Sequence, residues 1–421
     1  MEYVDQLTGE QAKELDKQYE RLSYGTENII PREEFREKLA KSIKLNRPLK
    51  VKLGLDPTAP DVHIGHTVVL NKLKQFQECG HKIQLIIGDF TGKIGDPTGK
   101  AAARKALTDE EVRHNAKTYF EQFGKIIDMN AVELHYNSQW LSKVGFTEVL
   151  QLASQVTVAR MLERNDFHQR YQTNKPIYLH EFFYPVMQGY DSHMLASDIE
   201  LGGTDQEFNV LFGRQIQEQF GQEKQVVLLL PLIEGLDGVE KMSKSKNNYI
   251  GIDEHPNDIF GKTMSIPDEL IMKYFKLTSN FSIDEVSQIE TQLENGCLHP
   301  KDAKVRLAYS FVEMLHGKDE AEKSKVHFAA VFQRNKMPDD MPEVILDKQV
   351  SIGIVELVRE LDLLPSNSEV RRMIKNGGIR INQEKIIDPL TTIDIIDEMV
   401  VQVGKRKFVK LRVRKGSGKG I

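Results

Sequence analysis

Apolar residues along this chain gather into two kinds of pattern. Short continuous runs, Val51 to Leu55, Ile83 to Gly88 and Val226 to Leu230, predict strands buried on both faces of a parallel sheet, since an unbroken apolar run leaves no face for water. Between them, apolar positions recur at helical spacing. Runs alternating with helices predict an α/β architecture over residues 48–255, a Rossmann-like nucleotide-binding catalytic domain with an internal insertion, its ligands at the carboxyl ends of the strands. Upstream, residues 1–47 predict a charged helical arm. Its second helix starts at Pro31, a good first-turn residue, and carries Phe35, Leu39 and Ile43 on one face.

Beyond Pro256 the pattern turns mostly helical, and residues 256–341 predict a helical second domain. Met337 to Pro342 holds two prolines among acidic residues and predicts a linker. A small α+β module follows over 350–415, and the glycine-rich stretch Lys415 to Gly420 ends the chain's pattern.

A chain of 421 residues is long enough for two or three separate cores, and its 40% hydrophobic and 28% charged content is that of a soluble globular protein. The first thirty residues are studded with charge and hold no apolar segment of signal or membrane length, so the expected location is the cytoplasm. Cys79 and Cys297 lie far apart and form no CxxC pair, which argues against a structural zinc and a disulfide scaffold. The net charge of −5 is uneven. From Val350 onward there are 14 Lys/Arg and 9 Asp/Glu, net +5, leaving −10 on the preceding residues. A basic module on an acidic body points to a polyanionic partner.

Several short motifs carry candidate chemistry. His63-Ile64-Gly65-His66 follows the first apolar run, with both histidines on one face where a helix over 65–76 should begin. The positive helix end would depress their pKa values and leave neutral N–H donors for phosphate, while Gly65 would let a base or ribose approach the backbone. Lys241-Met242-Ser243-Lys244-Ser245 follows Val226 to Leu230 in a polar loop with Gly235 and Gly238, and flexible lysines there suit a departing pyrophosphate. The glycine-rich Gly88 to Lys100 segment fails as a P-loop, because Ile94 stands where glycine is required and Ala101 replaces the metal-binding hydroxyl. Asp96 in it could accept from an ammonium. Tyr184, Gln188 and Asp191 share one helical face, beside an apolar stripe of Phe183, Met187, Tyr190 and Met194. Gly202-Gly203 leaves room for a ligand, and Thr204 to Glu207 predicts a capping box that places Asp205 and Gln206 at a helix start. Each motif alone has a plain alternative as a turn, a solvated face or an exposed basic loop.

The histidine and lysine motifs, intact and in this order, form the paired signature of class I aminoacyl-tRNA synthetases. From about Pro48 to the C-terminus the chain resembles the bacterial tyrosyl-tRNA synthetases, through Gly54 to Thr58 and on to His66, Ile94 to Pro97, Tyr184 to Asp191, Gly202 to Gln206, and Lys241 to Ser245. The resemblance implies a tyrosine–tRNA ligase acting on L-tyrosine, ATP with Mg²⁺ and tRNA(Tyr), as a homodimer with no tightly bound metal or organic cofactor. It implies that Tyr184, Gln188 and Asp96 hold the substrate's α-ammonium and that Asp191 receives the phenol. Asp56, Thr58, His63, Gly65, His66, Gly203 and Asp205 would surround ATP, with Gln206 beside the amino acid and the adenylate. Lys100 and Arg104 would join Lys241 and Lys244 on the pyrophosphate. In one departure, Lys52 occupies a position where many members carry a tyrosine that meets the substrate hydroxyl. Residues 352–393 resemble an RNA-binding domain first known from a small-subunit ribosomal protein. That implies a tRNA contact through Arg371, Arg372, Lys375 and Arg380, extended by Lys405, Arg406, Lys407, Lys410, Arg412, Arg414 and Lys415. The rival readings are a tryptophanyl enzyme, a small-molecule nucleotidylyltransferase, and a non-catalytic RNA-binding protein on a synthetase scaffold.

Overall fold

The structure, a computed structural model, describes residues 2–57, 62–94, 108–330, 341–346, 351–382, 384–404 and 407–413. Its chain forms two compact units, Met1–Lys325 and Val326–Ile421. The expected arm and catalytic segments fall within the first unit, whereas the helical segment, expected to reach 341, leaves it after Lys325; the linker residues 337–340 lie outside the described residues.

The first unit opens with helix α1 (Gly9–Ser23), set by a Thr8–Gln11 capping box. Strand β1 (Asn28–Ile30) and helix α2 (Arg32–Leu45) follow, with Pro31 at the N-cap instead of inside the helix. The segment read as an arm therefore contributes a strand, which pairs antiparallel with the end of the sheet. The βα alternation comes next: β2 (Lys50–Leu55), α3 (Ile64–Glu78), β3 (Lys82–Ile87), the short α4 (Thr91–Ile94), α5 (Asp109–Phe123) and β4 (Val132–Tyr136). Four short helices, α6 (Ser138–Leu141), α7 (Phe146–Ala153), α8 (Val158–Met161) and α9 (Asn165–Gln172), precede the long α10 (Leu179–Leu195). Then come β5 (Ile199–Gly203), α11 (Glu207–Gln219) and β6 (Val226–Leu230).

Strand order is β1-β6-β5-β2-β3-β4, parallel except for β1. The chain winds outward from β2 to β3 and β4, then crosses back to lay β5 and β6 on β2's other side. The switch point lies between β2 and β5, where a parallel sheet opens a crevice at its carboxyl edge. These two strands pair only at Val51 with Ile199 and Lys52 with Glu200. Beyond that they part, whereas β2 and β3 stay paired along their length. The remaining helices of the unit are α12 (Pro256–Met264), α13 (Ile271–Thr278), α14 (Ile283–Glu294), α15 (Pro300–His316) and α16 (Lys318–Phe328), packed around buried Phe260, Tyr274, Phe275 and Phe311. Lys72 of α3, buried, donates to the carbonyls of Leu22 (2.9 Å) and Tyr24 (2.7 Å) and so ties the end of α1 to the catalytic fold.

The second unit has a sheet of order β10-β9-β12-β13-β7 and a small pair β11-β8, from β7 (Glu343–Leu346), β8 (Ser351–Gly353), β9 (Ile379–Ile381), β10 (Glu384–Ile386), β11 (Thr392–Asp394), β12 (Val400–Val403) and β13 (Lys407–Val413). Helices α17 (Ile354–Glu360) and α18 (Asn367–Lys375) bury Leu357, Val358, Val370 and Ile374 against it. Helix α18 ends before Gly377, at φ +66°, and the chain turns into β9. Among the described residues no helix is long and apolar enough to cross a membrane.

Helices α10 and α11 touch at glycines. A Cβ on Gly213 would stand 2.5 Å from Gln225 Nε2 and 2.6 Å from Ser192 Oγ, both of which bond the buried Glu200. Gly213→Ala is therefore expected to lower unfolding free energy by about 1–3 kcal/mol through overpacking. Urea titration of the variant against wild type checks this.

Candidate active site

The carboxyl edge of the sheet carries the chemistry. Where β2 and β5 part, a cavity of about 290 Å³ opens, lined by Asp56, Gly88, Tyr184, Gln188, Asp191 and Gly203 among others. A second cavity of about 170 Å³ adjoins it and shares His66, Gly203, Asp205 and Lys241. A larger groove of about 630 Å³ lies along α1 and α3 near Lys72, and neither signature motif lines it.

The polar face of α10 points inward. Tyr184 and Asp191 are 7% and 4% exposed, which removes the reading of a solvated face. Tyr184 donates its hydroxyl to Asp56 Oδ2 at 2.8 Å, and Thr91 donates to Asp56 Oδ1 at 2.9 Å. A Cβ on Gly88 would stand 2.0 Å from that oxygen, so glycine there lets Asp56 lie flat across the cavity. Asp191 accepts from Trp140 Nε1 at 2.7 Å and Asn137 Nδ2 at 3.3 Å. Burial pushes its carboxyl up to about 7, against the opposing pull of Lys52 and of those two hydrogen bonds. Asn137, Trp140 and Thr91 escaped the sequence reading. Only the position of Asn137 just past an apolar-alternating strand could have pointed to it.

Lys52 does not reach into the cavity as a substitute for a tyrosine. Its ammonium pairs with Glu200 Oε1 at 2.9 Å and donates to Ser192 Oγ at 2.7 Å and the Gln188 carbonyl at 3.1 Å.

The two signature motifs meet. His63 is the N-cap of α3, and a bridge to Gly251 with bonds Ile64 N–H to Ile250 O and Ile252 N–H to Val62 O fastens it to the segment after the lysine motif. Gly65 N–H also points at Met242 Sδ, 3.3 Å away, and Met242 is buried. His63 Nδ1 accepts from Gly65 N–H at 3.1 Å, and His66 Nδ1 accepts from His63 N–H at 3.2 Å. A neutral imidazole with an accepting Nδ1 carries its proton on Nε2, so both rings offer an Nε2–H donor. Burial is the largest cause of that neutrality. It holds His63 down at about 2, with His66 and Lys241 adding to it, and His66 at about 4 against the raising effect of its backbone bond. The space over Gly65 is taken by the His63 ring, 2.9 Å from where a Cβ would be. Glycine here lets the histidine fold back onto its own helix.

The lysine loop is knitted, not loose. Asn248 donates to Asp237 Oδ2 at 2.7 Å and to the Glu240 and Lys241 carbonyls, and accepts from Ser243 N–H at 2.8 Å. Lys241 pairs with Asp205 Oδ2 at 2.7 Å, and Lys244 lies 5.9 Å from the Tyr249 ring centre, its pKa lowered by burial. The expected capping box at Thr204 does not form. A 3₁₀ turn, Thr204–Gln206, intervenes, and α11 starts at Glu207 with no side-chain cap. Gln206 instead accepts from Asn209 Nδ2 at 2.8 Å. Thr58, Asp96, Lys100 and Arg104 lie outside the described residues. Among those described, no group of three or more His, Cys, Asp or Glu is arranged to hold a metal ion.

In the second unit Arg371, Arg372 and Lys375 stand exposed on α18, and Arg380 is half-buried on β9. Of the expected basic extension, two residues described on β13 meet acids. Lys410 and Arg412 pair with Glu398, Arg412 also with Glu343, and Lys407 donates to the Leu363 carbonyl at 2.6 Å. Lys405, Arg406, Arg414 and Lys415 lie outside the described residues.

Comparison with known proteins gives concordant findings. A family profile described as tRNA synthetases class I (W and Y) matches residues 44–333, and one described as the tyrosine–tRNA ligase SYY-like C-terminal domain matches 333–411. The chain is 51% identical over 399 residues to a tyrosine–tRNA ligase of Moorella thermoacetica, covering 95% of this chain and 96% of the relative. It is 48% identical over 401 residues to tyrosine–tRNA ligase 2 of Clostridium acetobutylicum, covering 95% and 100%. Among solved structures, a C-terminally truncated mitochondrial tyrosyl-tRNA synthetase of Aspergillus nidulans superposes with TM-score 0.61 at 23% identity, covering 76% of this chain and 94% of that one. The Archaeoglobus fulgidus enzyme complexed with L-tyrosine gives 0.59 at 22%, covering 74% and 99%. At such identities these two likenesses speak for the fold.

The raised pKa of Asp191 sets a pH dependence. Folded, the carboxyl holds its proton to about pH 7; unfolded, it loses it near its ordinary 3.8. Its contribution to stability is thus fully present at low pH and is lost as pH rises through 7. Asp191→Asn is expected to remove that loss, so that wild-type stability minus variant stability falls between pH 5 and pH 8, as read by urea unfolding.

Proposed function

The chain belongs to the class I tyrosine–tRNA ligase family, and from that premise we propose how its own residues carry the family's reaction. The enzyme's substrates are tyrosine, ATP and tRNA. Tyrosine is first activated to tyrosyl-adenylate with release of pyrophosphate, then transferred to the 3′-terminal adenosine of tRNA. The finer reading rests on one observation: a single crevice at the β2/β5 switch point has a buried carboxylate, Asp191, at one end and both signature motifs at the other.

In that reading the phenol hydroxyl donates to Asp191, which Trp140 and Asn137 hold in place. Tyr184, Gln188 and Asp96 take the α-ammonium, and Gln206 lies beside the amino acid. The tyrosine carboxylate attacks the α-phosphorus of ATP; the bond to the β-phosphate oxygen breaks and pyrophosphate leaves. Attack needs no base, because the nucleophile is already ionised. What it needs is alignment and stabilisation of charge gathering on phosphate oxygens. His63 and His66 supply neutral Nε2–H donors. Asp56, Thr58, Gly65, Gly203 and Asp205 surround the nucleotide, taken as its magnesium complex, the metal arriving with the phosphates. Lys241 exchanges its Asp205 partner for the departing pyrophosphate, joined by Lys244, Lys100 and Arg104.

Residues 256–341 serve the anticodon side of tRNA, and 350–415 grip it through Arg371, Arg372 and Lys375, exposed on α18, together with the half-buried Arg380 of β9, cations that suit RNA phosphates. The enzyme acts as a cytoplasmic homodimer. Phe146, Leu150, Val158, Tyr171 and Leu179 on α7 to α10 are exposed apolar side chains of the kind a second copy would cover.

Exchange of labelled pyrophosphate into ATP, run with each amino acid, tests these assignments. Asp191→Ala is expected to lower kcat/KM for tyrosine by about 10- to 100-fold, the worth of a hydrogen bond to a charged group. Lys244→Ala is expected to lower kcat while leaving the KM for tyrosine near wild type, since its role falls on the leaving group. Equal activity of Asp191→Ala and wild type would reject the pocket assignment.

A further inference from the structure

Lys52 and Glu200 are opposite one another in the β2–β5 ladder, 0% and 1% exposed, at the last pair before the strands part. The three ammonium protons of Lys52 have three acceptors: Glu200 Oε1, Ser192 Oγ and the Gln188 carbonyl. None is left for a substrate. Ser192 Oγ, having accepted from Lys52, donates to Glu200 Oε2 at 2.9 Å, and Gln225 Nε2 donates to the same oxygen. Glu200 Oε1 also faces Gln188 Nε2 at 3.4 Å. An ionised carboxylate only accepts, so the amide of Gln188 must turn its nitrogen to Glu200, which leaves its oxygen as the atom for the cavity it lines. That oxygen is an acceptor, the group an ammonium requires.

We propose that Lys52 and Glu200 are a paired positioning unit for amino-acid recognition: Glu200 fixes the flip of the Gln188 side chain, and Lys52 fixes both Glu200 and the Gln188 backbone. Neither touches substrate. The proposal rests on the assignment of Gln188 to the α-ammonium.

The test uses the full-length enzyme in pyrophosphate exchange. Lys52→Met/Glu200→Met removes both charges and keeps the volume apolar, a change that buried ion pairs tolerate in stability. Glu200→Gln keeps every heavy-atom position and adds a competing amide donor beside Gln188. Both variants are expected to raise the KM for tyrosine about tenfold, roughly one charge-assisted hydrogen bond, with the KM for ATP within about twofold. In a Gln188→Ala background the same substitutions are expected to add less than about twofold, because the group they orient is gone. A merely structural role would move both KM values together or act equally in the two backgrounds. A tyrosine KM within twofold of wild type in either folded variant, or an undiminished effect on top of Gln188→Ala, overturns the proposal. If Gln188→Ala itself leaves the tyrosine KM unchanged, the assignment of Gln188 fails instead, and the proposal falls with it.

Discussion

One buried ion pair sits where the architecture and the chemistry of this protein join. Lys52 and Glu200 close the short β2–β5 ladder, and everything on the carboxyl side of that pair is crevice. Two charges out of water are costly unless each remaining lone pair and proton is satisfied, and here Ser192, Gln188 and Gln225 complete the set. The pair thus ties the middle of the sheet to α10, the helix bearing Tyr184, Gln188 and Asp191. It also requires small neighbours, which is why Gly213 faces the network from α11.

The same economy governs the nucleotide side. Two histidines use their Nδ1 atoms on their own helix start and so present Nε2–H outward, without carrying charge that would have to be neutralised by the next residue. In the proposed assignment the cationic work falls to Lys241 and Lys244, on a loop bound together by the Asn248 amide, by Asp237 and by backbone bonds to Ile233 and Glu240. In the same assignment neutral donors are fixed and cations meet the departing charged product, which separates alignment from charge neutralisation.

Legibility in the sequence followed how each element is stabilised. Strands β2, β3 and β6 were visible as apolar runs because both faces are covered. Strand β5 was not, because Glu200 breaks its run and only Lys52, far away in sequence, makes a buried glutamate tenable. Strand β4 alternates Glu133 and His135 with apolar residues, and β1 is three residues long. At the site, residues with a strong motif or a helical face were legible; Asn137, Trp140 and Asn248 were not, since a lone side chain ending a strand or crossing a loop leaves no period. The burial that lowers both histidine pKa values was not legible, because it comes from residues packed around the motif only after folding. The second unit's cationic strand looked freer than it is, because Glu398 and Glu343 become its neighbours only after folding.

The pairing of β1 with β6 bears on how the protein is made. Asn28 meets Leu229 across the sheet, about 200 residues later in the chain. At ribosomal rates that interval is roughly 10–40 s. For that time the first strand synthesised has no partner, and β6, apolar along its whole length, has no cover on that edge until β1 returns to it. The edge that would otherwise invite another chain is sealed by the oldest part of the molecule. Loss of the N-terminal segment would therefore show first as clumping during synthesis, before any effect on the crevice at the other end of the strands.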